Sequence, residues 1–310
     1  MQRLFLFSLF LAFTTHAIAQ DAGTPKPEQA AKVIDLRTMK LPTETMQPAN
    51  RSLAGLFFKA TCTPKAAYEF LQKQMIERGW KETNQFSSPT SASATFAKDG
   101  YHVSFFAMKG TDKKFGEHIT IQMTNMGNLD SRTLPVPEKS KAIISGPMST
   151  HYICETMTQD DGKKIMRDKL IALGWEPYGK AADAQYFKKD GIRLEMYVTK
   201  SPSQQNKTAV RYASRLMSIE VPAPVEATLV NYSDSPASLM VVVKGTVDEL
   251  GTYYTKGLSK LGWKPVTEKP VQKQINLEQV FQRGKEEMTV TYQQVKTDVH
   301  VKATLTKSGE

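Results

Sequence analysis

Residues that could carry chemistry are few in this 310-residue sequence, and they lie far apart. Two cysteines occur, Cys62 and Cys154. Neither has a neighbouring histidine or a recognisable motif, so a cysteine nucleophile is not expected. The histidines that follow residue 19 are His102, His118, His151 and His300. No two of them have the short spacing of metal ligands, so the sequence predicts no metal site.

Two pairs of adjacent carboxylates are the remaining candidates for acid–base chemistry, Asp160-Asp161 and Glu286-Glu287. The first pair falls in the first turn of a predicted helix, where the helix dipole favours negative charge. The second falls at a predicted hairpin, and neither pair has a partner that would set one carboxylate apart as an acid. No phosphate-binding loop, nucleophile elbow or calcium-binding loop occurs. We therefore predict no catalytic and no cofactor-binding residue, and expect that the protein is not an enzyme.

The first 19 residues have the order of a secretory signal peptide. Arg3 is the only charge, residues 4–13 are apolar apart from Ser8, and Ala17-Ile18-Ala19 offers the small side chains that signal peptidase accepts. The apolar run has about 10 residues, whereas a membrane-spanning helix needs roughly 20. We expect cleavage after Ala19, no membrane span in the mature chain, and a periplasmic or secreted protein.

The charge balance is basic, with 41 Lys and Arg residues against 31 Asp and Glu residues. Residues 32–127 and 128–217 each carry a net +5, whereas residues 218–310 are neutral overall. A basic face on the first two thirds would attract an acidic polymer. The alternative is that scattered lysines serve solubility. There is no dense run of Lys and Arg, so nucleic acid is not an expected partner.

The dipeptide Gly-Trp occurs three times, at 95- and 88-residue intervals, and indicates an internal repeat. Seventeen residues before each tryptophan stands a threonine that could cap a helix, and the apolar residues between have helical period. These threonines are Thr63, Thr158 and Thr246. The glycine of each pair, Gly79, Gly174 or Gly262, suits the left-handed residue that ends a helix. The repeat predicts helices over 64–78, 159–173 and 247–261.

Alternating segments that follow each helix predict antiparallel strands. Asp99-Gly100 and Asp190-Gly191 predict tight hairpin turns, because such turns need positive φ at both central residues. Phe106 and Met108 fall on the face of one predicted strand that should be exposed to solvent. Packing between modules would explain them, and so would an apolar groove for a partner.

We predict an α+β protein of three tandem modules, each with one helix packed on a curled antiparallel sheet in a helix-grip-like arrangement. The expected divisions are a signal peptide over 1–19, a flexible tail over 20–31, and modules over 32–127, 128–217 and 218–310. The connections between modules are short and lack a Gly/Ser tract, which favours fixed relative orientations.

The two cysteines do not occupy equivalent positions in the repeat. A disulfide between Cys62 and Cys154 would therefore join the first module to the second across 92 positions. Export would permit such a bond. Two unpaired thiols are the alternative, and the sequence leaves both open.

A resemblance rests on three motifs in succession: Leu-x-x-x-Gly-Trp at a helix end, Phe-x-Lys-Asp-Gly, and Gly-Asn-Leu-Asp-x-Arg-x-Leu-Pro over 127–135. This pattern resembles tandem-repeat exported proteins of planctomycete-type bacteria over most of the mature chain. The motifs are structural, so the resemblance implies no activity. More distantly, a helix gripped by an antiparallel sheet is similar to the modules of the lipoprotein accessory in the outer-membrane assembly machine, whose lipid-anchor cysteine this chain lacks.

A triplicated module without a shared polar constellation predicts a non-enzymatic binding or scaffolding protein of the cell envelope. The expected partner is an envelope protein or an acidic polymer. Two alternatives stay open: polyanion binding through the basic first and second modules, and a hydrolase with an unrecognised site.

The repeated tryptophans are predicted to hold helix to sheet rather than to bind a ligand. Trp263→Ala should then lower the free energy of unfolding by about 3–5 kcal/mol, the cost of removing a buried indole. Urea denaturation of the variant measures this loss. Unchanged stability would show that the tryptophan does not pin the helix.

Overall fold

The protein is built mainly from antiparallel sheet. The computed structural model describes residues 27–112, 116–234 and 236–307. In this part of the chain, three sheets and four helices occur, with 51% of the residues in strands and 20% in helices. The predicted α+β class is therefore wrong. The helices gave the clearest local signals in the sequence, but the strands hold most of the ordered residues.

The first sheet and its helices occupy residues 27–127. The elements are α1 (Pro27–Val33), β1 (Thr45–Arg51), β2 (Gly55–Ala60), α2 (Pro64–Glu77), β3 (Lys81–Ser87), β4 (Ser91–Lys98), β5 (Tyr101–Asp112) and β6 (Gly116–Gly127). The strand order is β1-β2-β6-β5-β4-β3, so the last strand is inserted beside the second.

The second and third sheets repeat this strand order. The second unit contains β7 (Ser140–Ser145), β8 (Ser149–Cys154), α3 (Gln159–Ala172), β9 (Glu176–Ala181), β10 (Ala184–Lys189), β11 (Ile192–Ser201) and β12 (Lys207–Leu216). The third contains β13 (Leu229–Asp234), β14 (Ala237–Lys244), α4 (Val247–Lys260), β15 (Lys264–Pro265), β16 (Val271–Lys273), β17 (Asn276–Arg283), β18 (Glu286–Val295) and β19 (Asp298–Lys307). Their orders are β7-β8-β12-β11-β10-β9 and β13-β14-β19-β18-β17-β15, with β16 also paired to β17.

The three long helices lie where the sequence predicts them, because their start and stop signals are local. The Thr63 side chain accepts the N–H of Ala66 at the start of α2, and Thr158 and Thr246 do the same for α3 and α4. At the end of α2, Gly79 adopts a φ of +80° and the N–H of Trp80 donates to the carbonyl of Met75. The indole is 2% exposed and lies in the core beneath the helix.

The segment predicted as a flexible tail is only partly described. Residues 1–26, which include the predicted signal peptide, lie outside the described residues. From Pro27 the chain is helical, and Ala30 and Ile34 are buried in the first core. Ala30 thus belongs to the first core, and the division of the chain into signal peptide, tail and modules stays a prediction. No helix in the described ranges has the length and apolar character needed to cross a bilayer.

The two thiols are free in the structure. Cys154 ends β8 and is buried in the core, whereas Cys62 follows β2 and is half-buried. Burial raises the pKa of the Cys154 thiol to about 11, so this residue behaves as a small apolar side chain. The candidate disulfide is absent from the structure, in which Cys154 is buried in the core shared by the first two units and Cys62 packs against that core.

The three units contact one another in pairs, so the contacts close into a ring. The Ser214 hydroxyl donates to the Met126 carbonyl between the second and first units. The Tyr178 hydroxyl donates to the Val221 carbonyl, 2.7 Å away, between the second and third. The first and third meet where the Ala54 N–H donates to the Ser218 hydroxyl, 2.9 Å away. The apolar core of the first two sheets is continuous.

Two glycines allow this close approach. A Cβ on Gly127 would lie 2.3 Å from Cδ1 of Ile192, and a Cβ on Gly179 would lie 2.1 Å from Cγ2 of Val230. Both glycines have positive φ, +80° and +99°. Gly179 therefore lets β9 of the second sheet meet β13 of the third.

We predict that Gly179→Ala destabilises the protein by about 3 kcal/mol or more, because a strained φ adds to a clash with the stiff, buried Val230. Gly284→Ala is the matched control: Gly284 has a φ of +60° and no atom within 4 Å of the added Cβ. It should cost about 1–2 kcal/mol, from backbone strain alone. Urea titrations of both variants give the comparison. Equal losses would contradict a packing role for Gly179.

Candidate functional site

A cavity lies where the three sheets meet, which we call the junction pocket. Its volume is about 480 Å³. The first sheet contributes residues of β1, β2 and β6, the second contributes Arg193 and Arg215, and the third contributes residues 231–234 of β13. Each unit thus supplies part of the wall, and the complete pocket exists only in the assembled chain.

Residues on the outer face of the first sheet form one side of the pocket. Asn50 on β1 is opposite Phe57 on β2, and Phe57 is opposite Gln122 on β6. These side chains share one face because directly paired residues of neighbouring strands point the same way. Leu56 and Phe58, which alternate with Phe57, point into the core. The strand period therefore sets which residues face the pocket.

Arg193 on β11 is the most deeply buried charged residue in the pocket, at 6% exposure. Its Nη2 donates to Oε1 of Glu195 at 2.8 Å, and its guanidinium carbon lies 5.2 and 5.5 Å from the ring centroids of Tyr186 and Tyr232. The two rings hold the guanidinium plane by cation–π attraction. Its Nε is buried and has no hydrogen-bond partner among the described residues. One donor of the fork is therefore left without an acceptor.

Arg215 on β12 stands directly opposite Arg193 in the sheet. Like charges at opposed positions repel, and no carboxylate of the described residues forms an ion pair with Arg215. The next residue along the same row, Lys188 on β10, does pair: its Nζ lies 2.8 Å from Glu220. The positive charge of the row therefore concentrates at Arg215, beside the exposed side of the pocket.

The one carboxylate that lines the pocket is occupied by donors. Asp234 Oδ1 accepts the N–H of Ser218 and the hydroxyl of Tyr232, each at 2.8 Å. Burial, reinforced by the Asp234 carboxylate, raises the pKa of Tyr232 well above its usual value. The hydroxyl therefore keeps its proton and its bond to Asp234. This network orients the Asp234 carboxylate toward Ser218 and Tyr232, and among the described residues it forms no direct ion pair with either arginine, although its charge remains at the pocket wall.

The residues singled out from the sequence lie elsewhere. None of the histidines or cysteines lines the junction pocket, and the described part of the chain holds no group of three His, Cys, Asp or Glu residues suited to a metal. Asp161 Oδ2 accepts the Thr158 hydroxyl at the start of α3, and Glu286 pairs with Arg283. Both are local roles. His102 is half-buried, and this burial lowers its pKa.

Sequence reasoning missed the pocket because its residues come from distant segments. Arg193 and Arg215 are 22 positions apart, and their opposition depends on the register of β11 against β12. The available signal was weak: two arginines at outward positions of alternating segments. The outward apolar residues Phe106 and Met108 are exposed by 45% and 50%. Packing between modules therefore does not explain why apolar residues occupy these positions.

The chain was compared with family models, curated proteins and solved structures, and none of them matches it. The resemblance to exported repeat proteins therefore stays a sequence-based prediction. The site must be interpreted from its own geometry.

The two arginines should respond differently to loss of charge. Arg193→Gln should lower the free energy of unfolding by about 2–4 kcal/mol, because it leaves Glu195 half of a buried pair. Arg215→Gln should change it by less than about 0.5 kcal/mol, since it removes a repulsion at an exposed position.

Urea denaturation of each variant measures this contrast. The double variant Arg193→Gln/Glu195→Gln should recover part of the loss. A large loss of stability in Arg215→Gln would mean that this arginine is a structural element of the sheet.

Proposed function

We propose that the protein is a non-enzymatic binding protein of the cell envelope that holds an anionic group in the junction pocket. In this proposal the chain is exported, its three units are tandem copies of one module, and the pocket is the specialised product of their assembly. The observation that carries the proposal is Arg193, which is nine-tenths buried and has an unpaired Nε. It is supported by Arg215, which forms no ion pair with a carboxylate of the described residues.

A bound anion would supply a hydrogen-bond acceptor to Arg193 and a counter-charge to Arg215. A buried N–H without an acceptor costs about 1–3 kcal/mol, and an anionic oxygen placed near it removes that cost. The guanidinium fork matches the paired oxygens of a carboxylate, phosphate or sulfate. The pocket also has neutral donors nearby, in Asn50, Gln122 and Asn231. These features support a ligand with at least one charged oxygen group.

The distribution of charge supports the same ligand class. Both pocket arginines belong to residues 128–217, which carry a net +5, and residues 32–127, which include the first-sheet wall of the pocket, carry another net +5. A positive field of this kind raises the local concentration of anions and speeds their encounter. Periplasmic or extracellular acidic polymers and the acidic groups of envelope proteins both offer such anions, in line with the expected location.

Inorganic phosphate is a minimal probe of the pocket. With ionic strength held constant by chloride, phosphate at ten times its Kd should stabilise the wild type by about 1.4 kcal/mol, because it binds only the folded state. The measurement is the melting temperature by scanning calorimetry. Arg215→Gln should lose most of this response while keeping its stability in chloride.

Lys164→Gln is the control, since it removes one charge from an exposed position on α3, away from the pocket. It should retain the wild-type response, which separates binding at the pocket from a general effect of phosphate. If Arg215→Gln responds as fully as the wild type, the junction pocket is not an anion site.

A further inference from the structure

A row of aromatic side chains runs across the outer face of the first sheet and begins in the junction pocket. Phe57 on β2 lines the pocket, Phe106 on β5 lies two strands away, and Phe86 on β3 lies two strands further. The intervening members of the row are Gln122 on β6 and Ser93 on β4, each directly paired with its neighbours. The three rings are exposed by 38%, 45% and 57%. We call this set the aromatic row.

The fold does not require aromatic residues at these places. The same row of the second sheet contains His151, Arg211 and Tyr197. In the third sheet it contains Met240, Lys302 and Thr291. The three sheets share their strand order, so the rows occupy corresponding positions. The concentration of phenylalanine is therefore a property of the first unit alone.

We propose that the aromatic row and the junction pocket together bind the C-terminal end of an extended partner polypeptide. The free α-carboxylate is held by Arg215 and Arg193, and apolar side chains of the preceding residues pack on Phe57, Phe106 and Phe86. This inference rests on the proposed anion-binding function and assigns the ligand class. Phe57 belongs to both parts, so the apolar surface is continuous with the charged one.

The spacing of the rings fits a polypeptide in the polyproline II conformation. Neighbouring strands lie about 4.8 Å apart, so successive rings of the row are separated by about 10 Å. A polyproline II helix returns to the same side every third residue, after about 9 Å. A peptide lying across the strands would therefore place every third side chain over a ring. Aromatic grooves that bind this conformation are a recurrent mode of peptide recognition.

The polar members of the row favour a polypeptide over an acyl chain. An acyl chain laid on Gln122 and Ser93 would strip water from their polar groups without replacing its hydrogen bonds. The carbonyl and N–H groups of a polyproline II chain have no internal partners and can bond to them.

Charge near the row favours a single anionic group over a polyanion. On one side of the aromatic row, the neighbouring outward positions include the neutral residues Thr124, Ser104 and Thr95. On the other side, the neighbouring outward positions include one cation, Lys59. Within the described part of the chain, Arg215, at the pocket end of the aromatic row, is a cation without an ion-pair partner.

The test uses the full mature chain and a fluorescein-labelled pool of nonapeptides. Each peptide has Leu, Met or Phe at every third position including the last, and random residues other than Cys elsewhere. Fluorescence anisotropy compares the free-acid pool with the same pool ending in an amide. The acid should bind the wild type about tenfold more tightly, the contribution of a charge-assisted hydrogen bond. In Arg215→Gln most of this difference between the two pools should be lost.

Variants of the row test the apolar half of the site. Phe106→Ser and Phe86→Ser should weaken the acid and amide pools alike, by about fivefold or more, since each removes one exposed ring. Val266→Ser, which removes an apolar side chain exposed by 61% on the third unit, should leave both pools unchanged. Wild-type affinity in both phenylalanine variants would overturn the assignment.

Other outcomes identify other occupants and also overturn it. Palmitate that binds with dependence on Phe106 and displaces the peptides would assign an acyl chain. A dimer that dissociates on Phe106→Ser in sedimentation equilibrium would assign a second copy of this chain. If phosphate still stabilises the protein through Arg215 but neither peptide pool binds, the peptide assignment fails and the anion-binding function stands. If phosphate does not stabilise the protein and neither peptide pool binds, both the anion-binding function and the peptide assignment fail.

Discussion

The junction pocket depends on the close approach of neighbouring sheets at Gly127 and Gly179. At each position a methyl group would overlap a side chain of the next unit. Both glycines also have positive φ, which other residues adopt only with strain. The backbone therefore comes nearer to Ile192 and Val230 than any other residue would allow. This approach brings the outer faces of two sheets and the edge of the third around one cavity.

Local signals explain why the helices could be predicted and the pocket could not. Thr63 caps α2 and Gly79 stops it, and both residues act within a few positions of the helix itself. The turn at Asp99-Gly100 was equally local, and both residues have the positive φ that the sequence predicts. The α+β assignment failed because strand content depends on pairing between distant segments. The surroundings of Arg193 include Arg215 and Tyr232, which come from other segments of the chain. The sequence around Arg193 therefore does not indicate its role.

The three units differ most where the shared fold constrains them least. Inward positions keep their apolar character: Phe105, Met196 and Val290 stand at corresponding places and are all buried. Outward positions diverge, as in Phe57 on β2 and Met240 on β14. Packing density restricts the first group, whereas solvent tolerates almost any residue in the second. A cluster of one chemical type on an outer face therefore needs a cause beyond folding.

The position of the pocket couples ligand binding to the arrangement of the units. Arg193 belongs to the second unit, but its guanidinium is held partly by Tyr232 of the third, whose carbonyl accepts from Nη1 at 3.4 Å. Asp234 receives the N–H of Ser218, next to the hydroxyl that contacts Ala54 of the first unit. An anion that occupies the pocket would therefore favour the closed ring over any state in which one unit separates, by the free energy of its binding. A single unit would lack the opposing wall, so the proposed binding site is complete only in the assembled ring.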